Sequence, residues 1–127
     1  MARILFVDDD PFTLATLTKA VEVFGHRALV SGTGQQALEL ALNESPDMIF
    51  VDLSLPDMDG LALVNALHTG EGTAHIPVMV LSASPEIDAS ELARAAGAHA
   101  FLNKPIRLQT LIDTIQSFSE REESTGV

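Results

Sequence analysis

The sequence MIFVDLSLPDMDG (residues 48–60) contains the transition that decides the fold, from an apolar run to a loop rich in turn residues. Met48–Val51 is continuously apolar and ends on Asp52, which is the pattern of a strand buried on both faces of a parallel sheet. Leu55–Gly60 then carries the Pro, Asp and Gly residues that are typical of loops. Apolar residues resume at helical spacing from Leu61, so the stretch predicts a strand, a loop and a helix in succession.

The same succession occurs four more times, twice before this stretch and twice after it. Five strand–helix units in strict alternation predict a parallel sheet with helices on both faces. Ligands of such sheets bind beyond the carboxyl ends of the strands. The other four strands are predicted at Ile4–Val7, Arg27–Val30, Ile76–Leu81 and Ala100–Leu102.

Capping and turn residues mark where the helices begin and end. Asp10-Pro11 predicts a helix start, with Asp as the N-cap and Pro at the first helical position. Ser84-Pro85 predicts another start, Gly25 and Gly97 predict helix ends, and Ser45-Pro46 stops the second helix. The residues predicted to face the core are Leu14, Leu17, Val21 and Phe24 in the first helix, Ala37, Leu38, Ala41 and Leu42 in the second, and Ile87, Leu92 and Ala95 in the fourth.

The length of 127 residues suits one domain, which we expect to span residues 1–119, followed by a polar tail or the start of a linker at 120–127. The formal net charge is −11, from 18 acidic and 7 basic residues. This charge speaks against direct binding of nucleic acid or of an anionic membrane surface. A cation or a basic partner surface fits it better, although an acidic balance can also serve only to keep a small domain soluble.

Cysteine is absent, which excludes disulfides, thiolate catalysis and cysteine-based zinc sites. No stretch approaches the roughly 18 apolar residues that a membrane-spanning helix needs. The acidic residues at positions 8 to 10 come too early for the apolar region of a signal peptide. We therefore expect a cytoplasmic protein.

Polar side chains stand at the predicted carboxyl ends of four strands, where a parallel sheet would bring them together. Crowded carboxylates must be protonated or neutralised by a cation, and oxygen ligands without His or Cys favour a hard ion such as Mg²⁺. A carboxylate beside Mg²⁺ and a lysine can attack phosphorus and form an acyl phosphate. Each residue alone could be an ordinary capping or loop residue, so the interpretation depends on their joint placement. They are Asp8 and Asp9, Asp52, Ser82 and Lys104.

Four segments match the pattern of a known family, namely Ile4–Asp9, Asp52–Gly60, Val80–Ala83 and Phe101–Pro105. By their order and spacing, the chain resembles the receiver domain of two-component response regulators over essentially its whole length. The resemblance implies a flavodoxin-like α/β fold, with a doubly wound parallel sheet of five strands in the order 2-1-3-4-5 and five helices. It also implies a phosphorylatable signalling protein that is not a separate enzyme.

The resemblance implies a role for each residue of the cluster. Asp52 resembles the phosphoacceptor, and Lys104 resembles the lysine that pairs with the phosphoryl group. Asp9 is implied to bind Mg²⁺ (or Mn²⁺) directly and Asp8 to hold it through water. Asp52 itself and the backbone carbonyl of Ser54 are the further metal ligands that the family implies.

A conformational switch and a set of partners are also implied. Ser82 resembles the hydroxyl residue that moves toward the phosphate, and Phe101 stands where the family has a switch aromatic, often Tyr. The implied phosphodonor is a sensor histidine kinase or a histidine phosphotransfer protein, and the implied receiver of the signal is a downstream protein or an output domain. We expect a monomer or a phosphorylation-dependent dimer, either standing alone or as part of a longer chain.

A dinucleotide-binding enzyme is the main alternative from another class. Gly32–Ala37 matches G-x-G-x-x-A between a strand and a helix, and Asp52 lies about 20 residues on, where a ribose-binding acid would be. This alternative leaves Asp9, Ser82 and Lys104 unexplained, and the chain is short for such an enzyme.

Two further alternatives concern binding without phosphorylation. A calcium-binding EF-hand loop over residues 52–60 is excluded because Asp57 stands where that loop requires Gly. A receiver-like docking module that is never phosphorylated stays open, but such modules would usually lack one or more of the site residues that are all present here.

Overall fold

The computed structural model describes residues 2–83 and 89–125, with the side chains of the last helix described as far as Phe118. Within these residues strands and helices alternate along the chain, as predicted. The elements are β1 (Arg3–Val7), α1 (Pro11–Val23), β2 (Arg27–Ser31), α2 (Gly34–Glu44), β3 (Met48–Asp52), α3 (Gly60–Thr69), β4 (Val78–Ser82), α4 (Ala89–Ala96), β5 (Ala100–Asn103) and α5 (Leu108–Thr125).

These strands form one parallel sheet in the order β2-β1-β3-β4-β5, which confirms the predicted flavodoxin-like topology. The strand order reverses between β1 and β3, and this reversal places a crevice at their carboxyl ends. The register sets Val7 beside Val51, and it sets Asp52 beside Leu81. The residues that follow β1 and those that end β3 and β4 are therefore neighbours.

Side chains of the central strands alternate between two hydrophobic clusters, one on each face of the sheet. Leu5 and Val51 belong to the cluster covered by α2, α3 and α4, whereas Phe6 and Phe50 belong to the cluster covered by α1 and α5. The rings of Phe6 and Phe50 lie 5.4 Å apart. Because β1, β3 and β4 are buried on both faces, their sequences are continuously apolar.

Short polar side chains begin the first three helices. Asp10 caps α1 by accepting a 3.1 Å hydrogen bond from the backbone N–H of Phe12, as predicted. Thr33 caps α2 and Asp59 caps α3 in the same way. The predicted ends also hold, since Gly25 follows the last turn of α1 with a φ of 84°, a left-handed conformation that favours glycine.

Four apolar residues that were predicted to face the core are exposed instead, namely Phe24, Leu42, Leu92 and Ala95. Phe24 is the C-cap of α1 and lies beyond its inner face. Helix α4 buries Ala89 and Ala93, so its inner face is built from alanine and is out of phase with the predicted one. Helical spacing alone did not distinguish these faces, because alanine and leucine both count as apolar.

The limits of the last two helices bear on the predicted boundaries. The predicted helix start at Ser84-Pro85, together with Ile87, lies outside the described residues. Helix α5 continues to Thr125, so the backbone at 120–125 is helical where a polar tail or linker was predicted. The domain limit at residue 119 stays a prediction. No helix among the described residues is long and apolar enough to cross a membrane.

Candidate functional site

The fold brings the predicted carboxylates together at the carboxyl end of the sheet. Asp8 and Asp9 follow β1, and Asp52 is the last residue of β3. One oxygen from each of the three carboxylates lies within 4.8 Å of the others. Asp8 and Asp52 are buried, whereas Asp9 is exposed, so the cluster opens to solvent on one side.

Ser82 and Lys104 join the cluster from the neighbouring strands. Ser82 is the buried last residue of β4, the strand that pairs with β3. The backbone N–H of Lys104 donates a 2.9 Å hydrogen bond to the carbonyl of Ser82, which fixes the lysine beside the end of β4. The peptide bond between Lys104 and Pro105 is cis. All five residues predicted from the strand ends are thus at one place.

The ammonium group of Lys104 bridges two of the carboxylates. Its Nζ lies 2.7 Å from Oδ2 of Asp8 and 3.5 Å from Oδ2 of Asp52. The other oxygens are also held, since Oδ1 of Asp8 accepts from the N–H of Asp10 at 2.9 Å and Oδ1 of Asp52 accepts from the N–H of Ser54 at 3.4 Å. Both buried carboxylates are therefore oriented by donors on each side.

Burial and neighbouring charges shift the titration of this cluster. Burial raises the pKa of Asp52, the positive charge of Lys104 lowers it, the negative charge of Asp8 raises it, and the net direction is upward. Burial works against the charged form of Lys104, but its hydrogen bond to Asp8 and the charges of Asp52 and Asp8 outweigh this, so its pKa is raised. Lys104 accordingly remains an ammonium ion at neutral pH.

The donor set fits a hard divalent cation. Three carboxylates and one ammonium leave a formal charge of −2 when all are ionised. The side-chain donors are all oxygens, which suits Mg²⁺ or Mn²⁺ rather than a soft metal. A divalent cation would relieve the repulsion between carboxylates that burial intensifies. Asp8, Asp9 and Asp52 are the side chains that could hold it.

The loop after Asp52 is closed upon itself by backbone contacts. Ser54 and Asp59 form an isolated antiparallel bridge, and the N–H of Gly60 donates to the carbonyl of Leu53 at 3.2 Å. A Cβ added to Gly60 would lie 2.5 Å from Cα of Leu53, so only glycine allows this approach. The backbone around Ser54, whose carbonyl the family resemblance implies as a metal ligand, is therefore confined.

Asp57 is a site-adjacent residue that the sequence did not reveal. Its Oδ1 accepts from the N–H of Gly34 at 2.8 Å, and its Oδ2 accepts from the N–H of Gln35 at 3.1 Å. These bonds lower the pKa of its carboxyl group. Because the carboxylate already takes these amides, they are not free to hold a pyrophosphate as a dinucleotide-binding turn requires. In the sequence, the glycine pattern at residues 32–37 was the feature that drew attention to these backbone amides, as a possible pyrophosphate site.

The predicted switch aromatic lies on the neighbouring edge strand. Phe101 is half-buried on β5, where it pairs in register with Val80. It lines a cavity of about 30 Å³ together with residues of α4 that include Ala93 and Arg94. The ring therefore packs beside α4, on the same face of the sheet as Ala93.

An apolar groove of about 380 Å³ opens directly beside the site, between α1 and the β5–α5 connection. Lys104 and Leu81 line its inner end, and Pro105 and Ile106 line one wall. Phe12, on the other wall, is 78% exposed. Its position places an exposed apolar surface next to the lysine ammonium.

A family model and several known proteins match this chain over nearly its whole length. The sequence model of the response regulator receiver domain matches residues 4–116. Protein PilH of Pseudomonas aeruginosa is 32% identical over 117 residues, which are 92% of this chain and 97% of PilH. The polar-differentiation response regulator DivK of Brucella ovis is 30% identical over 115 residues, which are 91% of this chain and 94% of DivK.

One further relative is longer than this chain, and two solved structures have a similar fold. The transcriptional regulatory protein PrrA of Mycobacterium tuberculosis is 34% identical over 124 residues, and the chain spans about half of it, 52%. A CheY-like receiver domain protein of Methanospirillum hungatei superposes with a TM-score of 0.88 at 26% identity, covering 98% of both chains. Chemotaxis protein CheY4 of Vibrio cholerae gives 0.86 at 26% identity, covering 93% of this chain and 98% of CheY4.

Proposed function

The chain belongs to the family of response regulator receiver domains, a family of two-component signalling, and on that premise we propose that Asp52 accepts a phosphoryl group. The observation that carries the proposal is the convergence of Asp52 with Asp8, Asp9 and the ammonium of Lys104 at one end of the sheet. Such a cluster offers a nucleophile, a cation site and a fixed positive charge within a few ångströms.

The transfer makes one bond and breaks one. An oxygen of Asp52 attacks the phosphorus of a phosphohistidine, a P–O bond forms, and the P–N bond breaks as the imidazole leaves and takes up a proton. The product is an acyl phosphate. The N–H of Ser54 and the ammonium of Lys104 face opposite oxygens of Asp52 in the free protein, so the nucleophile is oriented before the donor arrives.

Charge stabilisation is the other requirement, because negative charge spreads over the oxygens of the transferring group. Lys104 is held beside Asp52 and can pair with one of these oxygens. The hydroxyl of Ser82, at the buried end of β4, would donate to another. Mg²⁺ held by Asp8, Asp9, Asp52 and the carbonyl of Ser54 would supply further positive charge there. Water later attacks the same phosphorus, the bond between phosphorus and the Asp52 oxygen breaks, and inorganic phosphate leaves. The carboxylate of Asp52 is thereby restored without a separate enzyme.

Phosphorylation then shifts a conformational equilibrium. A phosphoryl group that draws the Ser82 hydroxyl inward would alter the packing at the end of β4, next to the strand that carries Phe101. Phe101 is half-buried and lines a small cavity beside α4, so a change at the end of β4 would reach a ring that already contacts that helix. The surface of α4, β5 and α5 would present the change to a downstream protein or output domain.

The phosphodonor in this proposal is a histidine kinase or a histidine phosphotransfer protein in the cytoplasm. The apolar groove beside Lys104 supports a protein donor, since it offers a docking surface that leads to the reacting carboxylate. The formal charge of −11 speaks against a nucleic acid as a direct partner, because its phosphates would be repelled. The oligomeric state of the phosphorylated sample would show whether the chain works as a monomer or dimerises on phosphorylation.

Intact-mass spectrometry after incubation with acetyl phosphate and Mg²⁺ tests the proposal. The expected result is a labile gain of one phosphoryl group that does not form when EDTA is present during the incubation and does not form in Asp52→Asn. No gain in the wild-type chain, together with no Mg²⁺ binding, would instead support a docking module that is never phosphorylated.

A further inference from the structure

The β3–α3 loop is fastened to the start of helix α2 by a single side chain. Both carboxylate oxygens of Asp57 accept backbone hydrogen bonds from the first turn of α2, at 2.8 Å from Gly34 and 3.1 Å from Gln35. These residues are 23 and 22 positions apart in the sequence. The negative charge also lies at the positive end of the helix dipole, which favours this placement.

Packing beside these hydrogen bonds makes the contact specific. Gly34 is buried, and a Cβ at that position would overlap the side chain of Met58. Met58 is half-buried and packs against the hydrophobic cluster on that face of the sheet. Asp57 and Met58 thus form one contact with α2, through polar and apolar atoms respectively. We call this contact the loop clasp.

The loop clasp acts on a segment that is already fixed at its other end. Ser54 bridges Asp59, Gly60 packs on the backbone of Leu53, and the N–H of Leu53 donates to the carbonyl of Leu81 at 3.3 Å. The backbone of Ser54 therefore runs between the sheet on one side and the clasp on the other. Of these restraints, the clasp alone reaches α2. The strand before α2, β2, contacts the other end of the site, because its last residue, Ser31, accepts a backbone hydrogen bond from the N–H of Asp8.

We infer that Asp57 is a positioning residue for the metal site, which holds the Ser54 carbonyl in place by fastening its loop to the start of α2. The inference rests on the proposed function, because it assigns that carbonyl to Mg²⁺. Asp57 does not contact the carboxylate cluster itself in any hydrogen bond of the described residues, so its effect is exerted through the loop backbone. Groups that orient metal ligands from outside contribute measurably to metal affinity.

Mg²⁺ titration of the metal-free chain, followed by calorimetry, tests this inference with two substitutions at one position. Asp57→Ala removes both acceptors, and it should weaken Mg²⁺ binding roughly tenfold, the lower end for groups that support a ligand. Asp57→Asn removes the same charge but keeps one oxygen that can accept from Gly34, so it should weaken binding by only about threefold.

Thr33→Ala is the matched control, because it removes the other side-chain cap of the same helix without touching the loop. It should lower the free energy of unfolding by about 1 kcal/mol and leave Mg²⁺ affinity within about twofold of wild type. Amide hydrogen exchange gives a readout independent of the metal. Exchange at Gly34 and Gln35 should accelerate in Asp57→Ala, and the acceleration should extend to the amides of Leu53 and Ser54.

Three results would overturn the inference while leaving the proposed function intact. These are unchanged Mg²⁺ affinity in Asp57→Ala, equal losses in the Ala and Asn variants, which would indicate a pure charge effect, and an equal loss in Thr33→Ala, which would indicate general destabilisation. Failure of the wild-type chain to bind Mg²⁺ at all would contradict the proposed function and the inference together.

Discussion

Nζ of Lys104 donates a 2.7 Å hydrogen bond to Oδ2 of Asp8. In the metal-free protein the ammonium therefore neutralises part of the charge that a divalent cation would neutralise when bound. Asp8 is buried and has the ammonium on one oxygen and the N–H of Asp10 on the other. A cation that enters the cluster must share Asp8 with the lysine, so the two positive charges oppose each other.

Replacing Lys104 should therefore have opposite effects on the affinity for Mg²⁺ and on the rate of phosphorylation. We expect Lys104→Gln to bind Mg²⁺ roughly tenfold more tightly, since one nearby positive charge is removed. The same variant should be phosphorylated more slowly by acetyl phosphate, because the charge that pairs with the phosphoryl group is lost. Lys19→Gln, an exposed lysine of α1, is the control and should change neither quantity. Weaker Mg²⁺ binding in Lys104→Gln would contradict this view of the cluster.

The buried carboxylate of Asp52 should lower the stability of the metal-free chain at neutral pH. The pKa of Asp52 is higher in the folded state than in the unfolded state. As the pH rises between these two pKa values, ionisation of Asp52 therefore lowers the free energy of unfolding, and the loss persists at higher pH. Asp52→Asn removes the charge and should raise the free energy of unfolding at pH 7 in EDTA, because the buried carboxylate no longer has to be ionised. The gain should shrink toward zero on acidification. Urea denaturation across this pH range measures it, and a variant less stable than wild type at pH 7 would count against the argument.

Gly60 should tolerate no side chain. Gly60→Ala would drive a Cβ to within 2.5 Å of Cα of Leu53, and the backbone would have to move, at a cost of about 2 kcal/mol in the free energy of unfolding. Gly32→Ala is a matched control in the neighbouring loop, since its Cβ would come no closer than 4.0 Å to a neighbouring atom, the carbonyl oxygen of Asp8. Thermal or urea unfolding compares the two, and equal stability of both variants would mean that the loop is not confined as described.

Phe12 should matter for a protein donor and not for a small one. Phe12→Ala removes the exposed wall of the groove beside Lys104, and we expect transfer from a phosphorylated histidine phosphotransfer protein to slow roughly tenfold. The rate with acetyl phosphate should stay unchanged, because that donor needs no docking surface. Val23→Ala, at the other end of α1 and 79% exposed, controls for loss of exposed apolar area. Parallel losses with both donors would show that Phe12 supports the site rather than docking.

Much of this structure could be predicted from the sequence because the strands are buried on both faces. A continuous apolar run such as Met48–Val51 has few other interpretations, and the rule for strand ends then places Asp52, Ser82 and Lys104 together. The outer helix faces were harder to predict. Leu92 has the hydrophobicity of a core residue, yet the close packing of α4 is made by Ala93.

The contacts between distant loops could not be predicted at all. Asp57 looked like one acidic loop residue among several, and nothing in a single sequence joins it to Gly34, 23 positions away. The shorter distance from Lys104 to Asp8 than to Asp52 was also hidden, since it depends on the orientation of one flexible side chain. Sequence patterns predict which elements are neighbours, but not which donor meets which acceptor.

The residue that carries the phosphoryl group can be identified directly. The chain is incubated with acetyl phosphate and Mg²⁺, the acyl phosphate is reduced with borohydride, and the peptides of a peptic digest are sequenced by mass spectrometry. We expect homoserine at position 52 in the wild-type chain, and no homoserine in Asp52→Asn or in a sample treated with EDTA. Homoserine at position 8 or 9 in place of 52, or its complete absence from a wild-type chain that binds Mg²⁺, would contradict the assignment of Asp52 as the phosphoacceptor.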